Sequence, residues 1–139
     1  MSAVLHLSME NNPPELVRLL QKANGFMESR SLPAAAVYKA NLVLEEILTN
    51  ILKYAFTDSD AHRVDVQLAL RDRELTIQIM DDGLEFDPLA IPGPEMKNSI
   101  LEATEGGLGV HLVRQTADAI TYRRDASRNI LTMTLGLQS

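Results

Sequence analysis

The segment LPAAAVYKANLVLEEILTNILKYAF, residues 32–56, runs on from Pro33 with no internal Gly or Pro. Pro suits the first turn of a helix, and the uninterrupted periodic stretch behind it predicts one long helix. At about 100° per residue, Ala40, Val43, Leu44, Ile47, Leu48 and Ile51 share one arc, the side that must find a core. Glu46, Thr49, Asn50 and Lys53 share the opposite arc, with Glu46 and Asn50 one turn apart and projecting together. A polar pair on a wet helix face is the ordinary reading of that spacing. A chemical reading needs other segments that bring groups to the same side.

The rest of the chain supplies partners for the apolar arc. Residues 3–9 alternate Val4, His6 and Ser8 against Leu5, Leu7 and Met9, the pattern of a strand. ENNPPELVRLLQKANGFMES offers Asn12 as a helix cap and prolines in the first turn, with Leu16, Leu19, Leu20 and Ala23 on one face; the helix ends near Arg30. RVDVQLALRD and RELTIQIMD alternate with period two around a tight polar turn at 71–73, which predicts a β-hairpin. LGVHLVRQTAD reads as a short helix, and AITYRRDASRNILTMTLGL as a second hairpin turning over 125–129. The order β-α-α-β-β-loop-α-β-β predicts a two-layer α/β sandwich, a mixed and mostly antiparallel sheet with helices on one face. No repeat or linker divides the chain, so residues 1–139 are expected to form one domain.

Composition narrows the function classes. Hydrophobic residues at 45% and charged residues at 23% match a globular chain rather than a disordered one. The absence of cysteine removes disulfides, thiolate metal sites and thiol nucleophiles, and fits a cytoplasmic setting. MSAVLHLSMENNPPELV has no basic segment ahead of an apolar run, and no apolar run approaches a membrane span, so neither a signal peptide nor a membrane anchor is expected. A net charge of −6, from 13 basic against 19 acidic residues, suits a nucleic-acid backbone poorly. His6, His62 and His111 stand far apart without metal-ligand spacing, and no Ser-His-Asp arrangement is evident.

Two later loops bear on the polar arc. In MDDGLEFDP, Asp81 ends an apolar strand with Gly83 two residues on, alone a common turn signal. A carboxylate at the wall of an apolar pocket also accepts from the exocyclic amine of adenine, and a nearby Gly lets the base approach the backbone. EGGLGVHLV places Gly106, Gly107 and Gly109 at a helix start, where unpaired N–H groups bind anions. Alone it is a flexible connector. No GK[ST] follows, so it is not a P-loop, and no strand leads straight into it, so it is not a dinucleotide fingerprint. The long loop between carries three prolines, and loops of that length are usually functional or mobile.

E-x-x-x-N on a long helix, D-x-G after a strand and G-x-G at a helix start, in this order, resemble the N, G1 and G2 boxes of the GHKL ATPase superfamily, which includes gyrase, histidine kinases and MutL. The chain is most similar to the stand-alone anti-sigma factor serine/threonine kinases of the RsbW and SpoIIAB type, through LVLEEILTNILKYAF, IQIMDDGLEFDP, EGGLGVHLVRQTADAI and NILTMTL. The resemblance implies the GHKL, or Bergerat, ATPase fold and binding of ATP or ADP with Mg²⁺. Asn50 would hold the Mg²⁺ that bridges the phosphates, and Glu46 would orient or deprotonate the attacking hydroxyl. Asp81 would read adenine beside Gly83. Gly106, Gly107, Leu108 and Gly109 would cradle phosphates, Lys53 would add positive charge or face solvent, and residues 88–106 would form a lid. The implied partners are a STAS-domain anti-anti-sigma protein, which is phosphorylated, and a sigma factor or similar regulator, which is sequestered, commonly by a homodimer. One or two protein oxygens suffice for Mg²⁺, and phosphoryl transfer asks for positioning and charge neutralisation.

Two positions depart from the pattern: Glu85 stands where a second Gly is usual, and Tyr54 where His is frequent. Two further readings stand beside the kinase. One is an ATP-gated binding module without transfer activity. The other is a histidine-kinase-like ATPase domain, which the lack of any His over 13–30 disfavours.

Overall fold

The computed structural model describes residues 2–87, 89 and 107–137. Gly106 and the expected lid, residues 88–106 apart from Leu89, lie outside them, and Leu108 is described only as part of a helix backbone. The order is β1 (Ser2–Glu10), α1 (Pro13–Ser29), α2 (Ala34–Asn50), a π-helical turn (Ile51–Ala55), β2 (Arg63–Arg71), β3 (Glu74–Asp81), α3 (Gly107–Thr116), β4 (Ala119–Asp125) and β5 (Arg128–Gly136). Five strands form one sheet in the order β1-β2-β3-β5-β4. Every pairing is antiparallel, so the expected antiparallel character holds throughout and no mixed pairing occurs among the described residues.

Local chemistry explains the elements. The Asn12 side chain accepts from the Glu15 backbone N–H at 3.0 Å, and Pro13 and Pro14 fill turn positions whose N–H groups need no helical partner. Burial along β2 and β3 alternates with period two, so one sheet face is covered and the other is wet. Leu19, Ala23 and Met27 of α1, and Val43, Leu44, Ile47 and Leu48 of α2, pack against Leu68, Ile77, Met133 and their neighbours on the covered face. This is the two-layer sandwich. On the wet face Gln78 donates to Thr132 at 3.3 Å.

Two expectations change in detail. The α-helical ladder of α2 ends at Asn50 and the next five residues form the wider π-helical turn. A π-helical turn inserts extra backbone without ending the helix, and such turns gather at functional sites. Ile51, placed in the core arc by an unbroken α period, is half-buried here, packing on the core and also lining a pocket. The second hairpin turns more tightly than 125–129: Ala126 and Ser127, both left-handed with φ of 51° and 66°, reverse the chain alone. Asn129 is therefore a strand residue, paired with Arg124 on one side and Asp81 on the other.

Candidate functional site

Where α2 passes into the π-helical turn, its end faces the ends of β3, β4 and β5 across an apolar pocket. Ile47, Ile51, Ile79 and Leu131 form the walls. Asn50, Asp81 and Asn129 contribute polar groups deep in the pocket, and Tyr54, Ala55, Leu84, Glu85, Phe86 and Tyr122 complete the lining. An apolar pocket with a few convergent polar groups is the usual form of a small-molecule site. Asn50 and Asp81, carried by separate segments of the sequence, line the same cavity.

Asn50 sits half-buried at the last turn of α2, and its amide nitrogen is buried with no hydrogen-bond partner among the described residues. An orphaned buried donor is costly, and at a pocket wall it is a group set for a ligand. One turn earlier, Glu46 is half-buried and reaches the first turn of α3. A Cβ at Gly109 would collide with the Glu46 carboxylate and lie 3.2 Å from its Cδ, so the missing side chain leaves the room in which that carboxylate rests against α3. The start of a helix has unsatisfied N–H groups and positive potential, which suits anions. Glu46 is not among the pocket-lining residues, and Lys53 is exposed and outside the lining.

Asp81 ends β3 with only 4% of its surface exposed. Its Oδ2 accepts from Gly83 N–H at 3.2 Å, and both carboxylate oxygens accept from the Asn129 amide at 3.1 and 3.3 Å. Burial raises the carboxyl above the ordinary aspartate range; the Asn129 and Gly83 donors hold that rise back. Gly83 stands behind the pocket wall: a Cβ there would lie 2.6 Å from both the Cβ and the carbonyl oxygen of Ala55. Close packing of the loop on the π-helical turn is fastened by Leu84 N–H donating to that carbonyl at 2.8 Å.

Beside the pocket, His62 stacks on Phe56 with centroids 4.2 Å apart, its Nε2 lies 2.7 Å from Asp58 and its Nδ1 3.4 Å from Asp82. The Asp58 hydrogen bond raises the imidazole above its ordinary value, aided by the charges of Asp58 and Asp82 and opposed by desolvation. Burial likewise raises the Tyr122 phenol, with the negative charge of Glu85 adding to it.

The geometry thus joins the predicted residues in two groups, Asn50 with Asp81 around the pocket and Glu46 with Gly109 at the α2–α3 contact. Tyr122, Arg124 and Asn129 were not anticipated. A signal existed for Asn129: positions 129, 131, 133 and 135 share the period-two face whose other members are apolar and buried.

Comparison with known proteins identifies the family. The histidine kinase-like ATPase domain matches residues 9–135, and the chain belongs to that family, with the GHKL-type α/β sandwich described above. It is 32% identical over 97 residues to the serine/threonine-protein kinase BtrW of Bordetella bronchiseptica, covering 70% of this chain and 68% of that protein. Its fold is similar to the crystal structure of the RsbU and RsbW domains of Rv1364c from Mycobacterium tuberculosis, with a TM-score of 0.67 and 12% identity. That match takes in 97% of this chain and 32% of the other, so the chain spans about a third of that protein. Among the described residues, no helix is long and apolar enough to cross a membrane.

The family implies a nucleotide, and the residues present fit one. The apolar walls suit a heterocycle, Asp81 gives it an acceptor, and the Asn50 amide nitrogen at the same cavity leaves a donor with no partner among the described residues. The Asn50 amide oxygen would be the group to hold Mg²⁺, which when bound neutralises phosphate charge.

Proposed function

We propose that the chain is an ATP-dependent protein serine/threonine kinase of the anti-sigma type. It transfers the γ-phosphoryl group of ATP to a Ser or Thr of a STAS-domain antagonist, and it sequesters a sigma factor or similar regulator as the nucleotide state changes. The observation that carries this reading is the shared pocket: the N-box amide and the G1 carboxylate, 31 positions apart by subtraction of their numbers, line one cavity. The similarity to a serine/threonine-protein kinase supports protein hydroxyl as the acceptor.

In this reading the apolar walls take adenine and Asp81 accepts from its amine. Asn50 orients the phosphate end, and the Gly106–Gly109 stretch with Leu108 receives the phosphates. Glu46 accepts the proton from the attacking hydroxyl. A new O–P bond forms to the hydroxyl oxygen while the bond between the γ-phosphorus and the bridging oxygen breaks, and ADP leaves. The lid over 88–106, a homodimeric assembly and a cytoplasmic setting belong to the same proposal.

Glu46→Ala tests it. Removing the base should leave ATP affinity within about threefold and lower phosphoryl transfer to the antagonist by about a hundredfold or more. Radiolabelled ATP with the co-purified antagonist reads out the transfer. One observation favours the second reading, an ATP-gated binding module: Glu46 rests against α3 instead of lining the pocket. Unaltered protein that binds ATP and transfers no phosphate would decide for that module.

A further inference from the structure

Asn129 is the best-connected side chain at the pocket, and no part of the reading above uses it. Its oxygen accepts from three donors: the Tyr122 hydroxyl at 2.6 Å, Arg124 Nη1 at 3.1 Å and the Phe86 backbone N–H at 3.3 Å. Its nitrogen donates to the Leu84 carbonyl at 2.8 Å and to the Asp81 carboxylate. Turning the amide over would set its N–H groups against three donors and its oxygen against two acceptors. The network therefore fixes which way the amide points. Neither Asp nor Leu reproduces both sides. Asp loses the donors and sets a second carboxylate against Asp81; Leu loses everything.

The same residue fixes the neighbouring loop. Arg124 Nη1 donates to both the Gly83 carbonyl, at 2.8 Å, and Asn129. Between them Asn129 and Arg124 hold the Gly83 and Leu84 carbonyls and the Phe86 N–H, while Ala55 holds the Leu84 N–H. The loop from Gly83 to Phe86, of which Leu84, Glu85 and Phe86 line the pocket, is thus set before any ligand arrives, which lowers the ordering cost of binding.

Asp81 gains a direction from the same contacts. Its Oδ2 takes the Gly83 N–H and the shorter Asn129 contact, leaving Oδ1 with the longer contact and spare lone pairs. We propose that Asn129 is the specificity-determining positioning residue of this pocket, aiming an ionised Asp81 Oδ1 so that a purine with a 6-amino group is accepted and one with a 6-oxo group is refused. This rests on the nucleotide reading of the site. An amine donates to Oδ1, whereas a 6-oxo oxygen would face the carboxylate across a buried gap with no proton between them. Without Asn129 the carboxylate is free to turn and to take up a proton, and both kinds of base are then met alike.

Calorimetric titration of the whole chain with ATP and with ITP, in Mg²⁺ across pH 5.5 to 8.5, reads this directly. The unaltered chain is expected to prefer ATP by about a hundredfold. Asn129→Ala should weaken ATP by about tenfold or more, bring the two nucleotides within about threefold, and move the acid limb of ATP binding to higher pH. Asn129→Asp should bind ATP poorly at pH 7.5 and recover part of that binding as the pair takes up a proton. Loss of fold alone would lower both affinities together without shifting the ratio. Should Asn129→Ala fail to fold, Tyr122→Phe removes one anchoring donor and keeps the amide. A narrowed ATP-to-ITP ratio in that variant supports the role, and an unchanged ratio overturns it. Unaltered chain that binds no ATP overturns the nucleotide reading and this inference together. Unaltered chain that binds ATP, with the same ratio in Asn129→Ala, overturns the role of Asn129 alone.

Discussion

The ladder between β3 and β5 places four pairs on the covered face, and the last differs from the other three. Leu75 faces Leu135, Ile77 faces Met133, Ile79 faces Leu131, and Asp81 faces Asn129. All eight residues are buried, on the same strands and with the same period. The three apolar pairs hold the sandwich together through area removed from water. The polar pair does the opposite for stability: a carboxyl whose pKa is raised on folding destabilises the fold once pH exceeds its ordinary value, because the ionised form prefers the unfolded chain. One sheet face thus passes from stabilising the fold to serving a ligand within a single step of two residues.

The largest expected effect lies at the middle of the apolar ladder. Ile77→Ala should lower unfolding free energy by ~3 kcal/mol, since Ile77 is fully buried among well-packed neighbours. Chemical denaturation measures it; a loss below about 1 kcal/mol would show that the ladder is not the main support of the sandwich.

Replacing the polar pair by an apolar one sharpens the contrast. Asp81→Leu with Asn129→Leu should be more stable than Asn129→Leu alone, since no carboxylate is then stranded, while nucleotide binding disappears. Asn129→Leu alone strands a buried carboxylate and should lose about 2 kcal/mol. If the double variant is as unstable as the single one, the polar pair is part of the scaffold and the contrast fails.

The turn that delivers Asn129 to the ladder offers a smaller effect. Ala126 and Ser127 hold left-handed backbone that Asn and Gly adopt far more readily. Ala126→Asn with Ser127→Gly should stabilise by about 1 kcal/mol without altering ATP affinity, as a paired thermal melt and titration would show.

The smallest effect concerns the His62 bridge next to the polar pair. The folded pKa of His62 is raised, so its contribution is complete below the unfolded value near 6.5 and fades as pH rises through the folded value. Asp58, lowered chiefly by its hydrogen bond to His62, contributes above its ordinary range and loses that as pH falls through the depressed value. The melting temperature of the unaltered chain should therefore exceed that of His62→Gln most between about pH 5 and pH 6, with the gap closing toward alkaline pH. A gap that widens above pH 7 would contradict the bridge.

Much of this contrast was readable in the residues. The apolar alternation of RELTIQIMD carries Asp81 onto the buried face, and the arc of α2 separates Val43, Leu44, Ile47 and Leu48 from Glu46 and Asn50. Asn129 escaped because neither Ala126 nor Ser127 announces a two-residue turn; the usual signal is Gly or Asn. The π-helical turn escaped for another reason: it accompanies the packing of Gly83 and Leu84 on Ala55, a tertiary contact between segments that no local period encodes. Lys53, for which the sequence left phosphate contact and solvent both open, is exposed within the π-helical turn and lies outside the pocket lining.

Binding of Mg²⁺-ATP by calorimetry, in the unaltered chain and in Asn50→Ala and Asp81→Asn, tests the shared pocket most directly. The account predicts binding that either substitution abolishes, with each variant still folded. Full affinity retained in both variants would place the nucleotide elsewhere and contradict it.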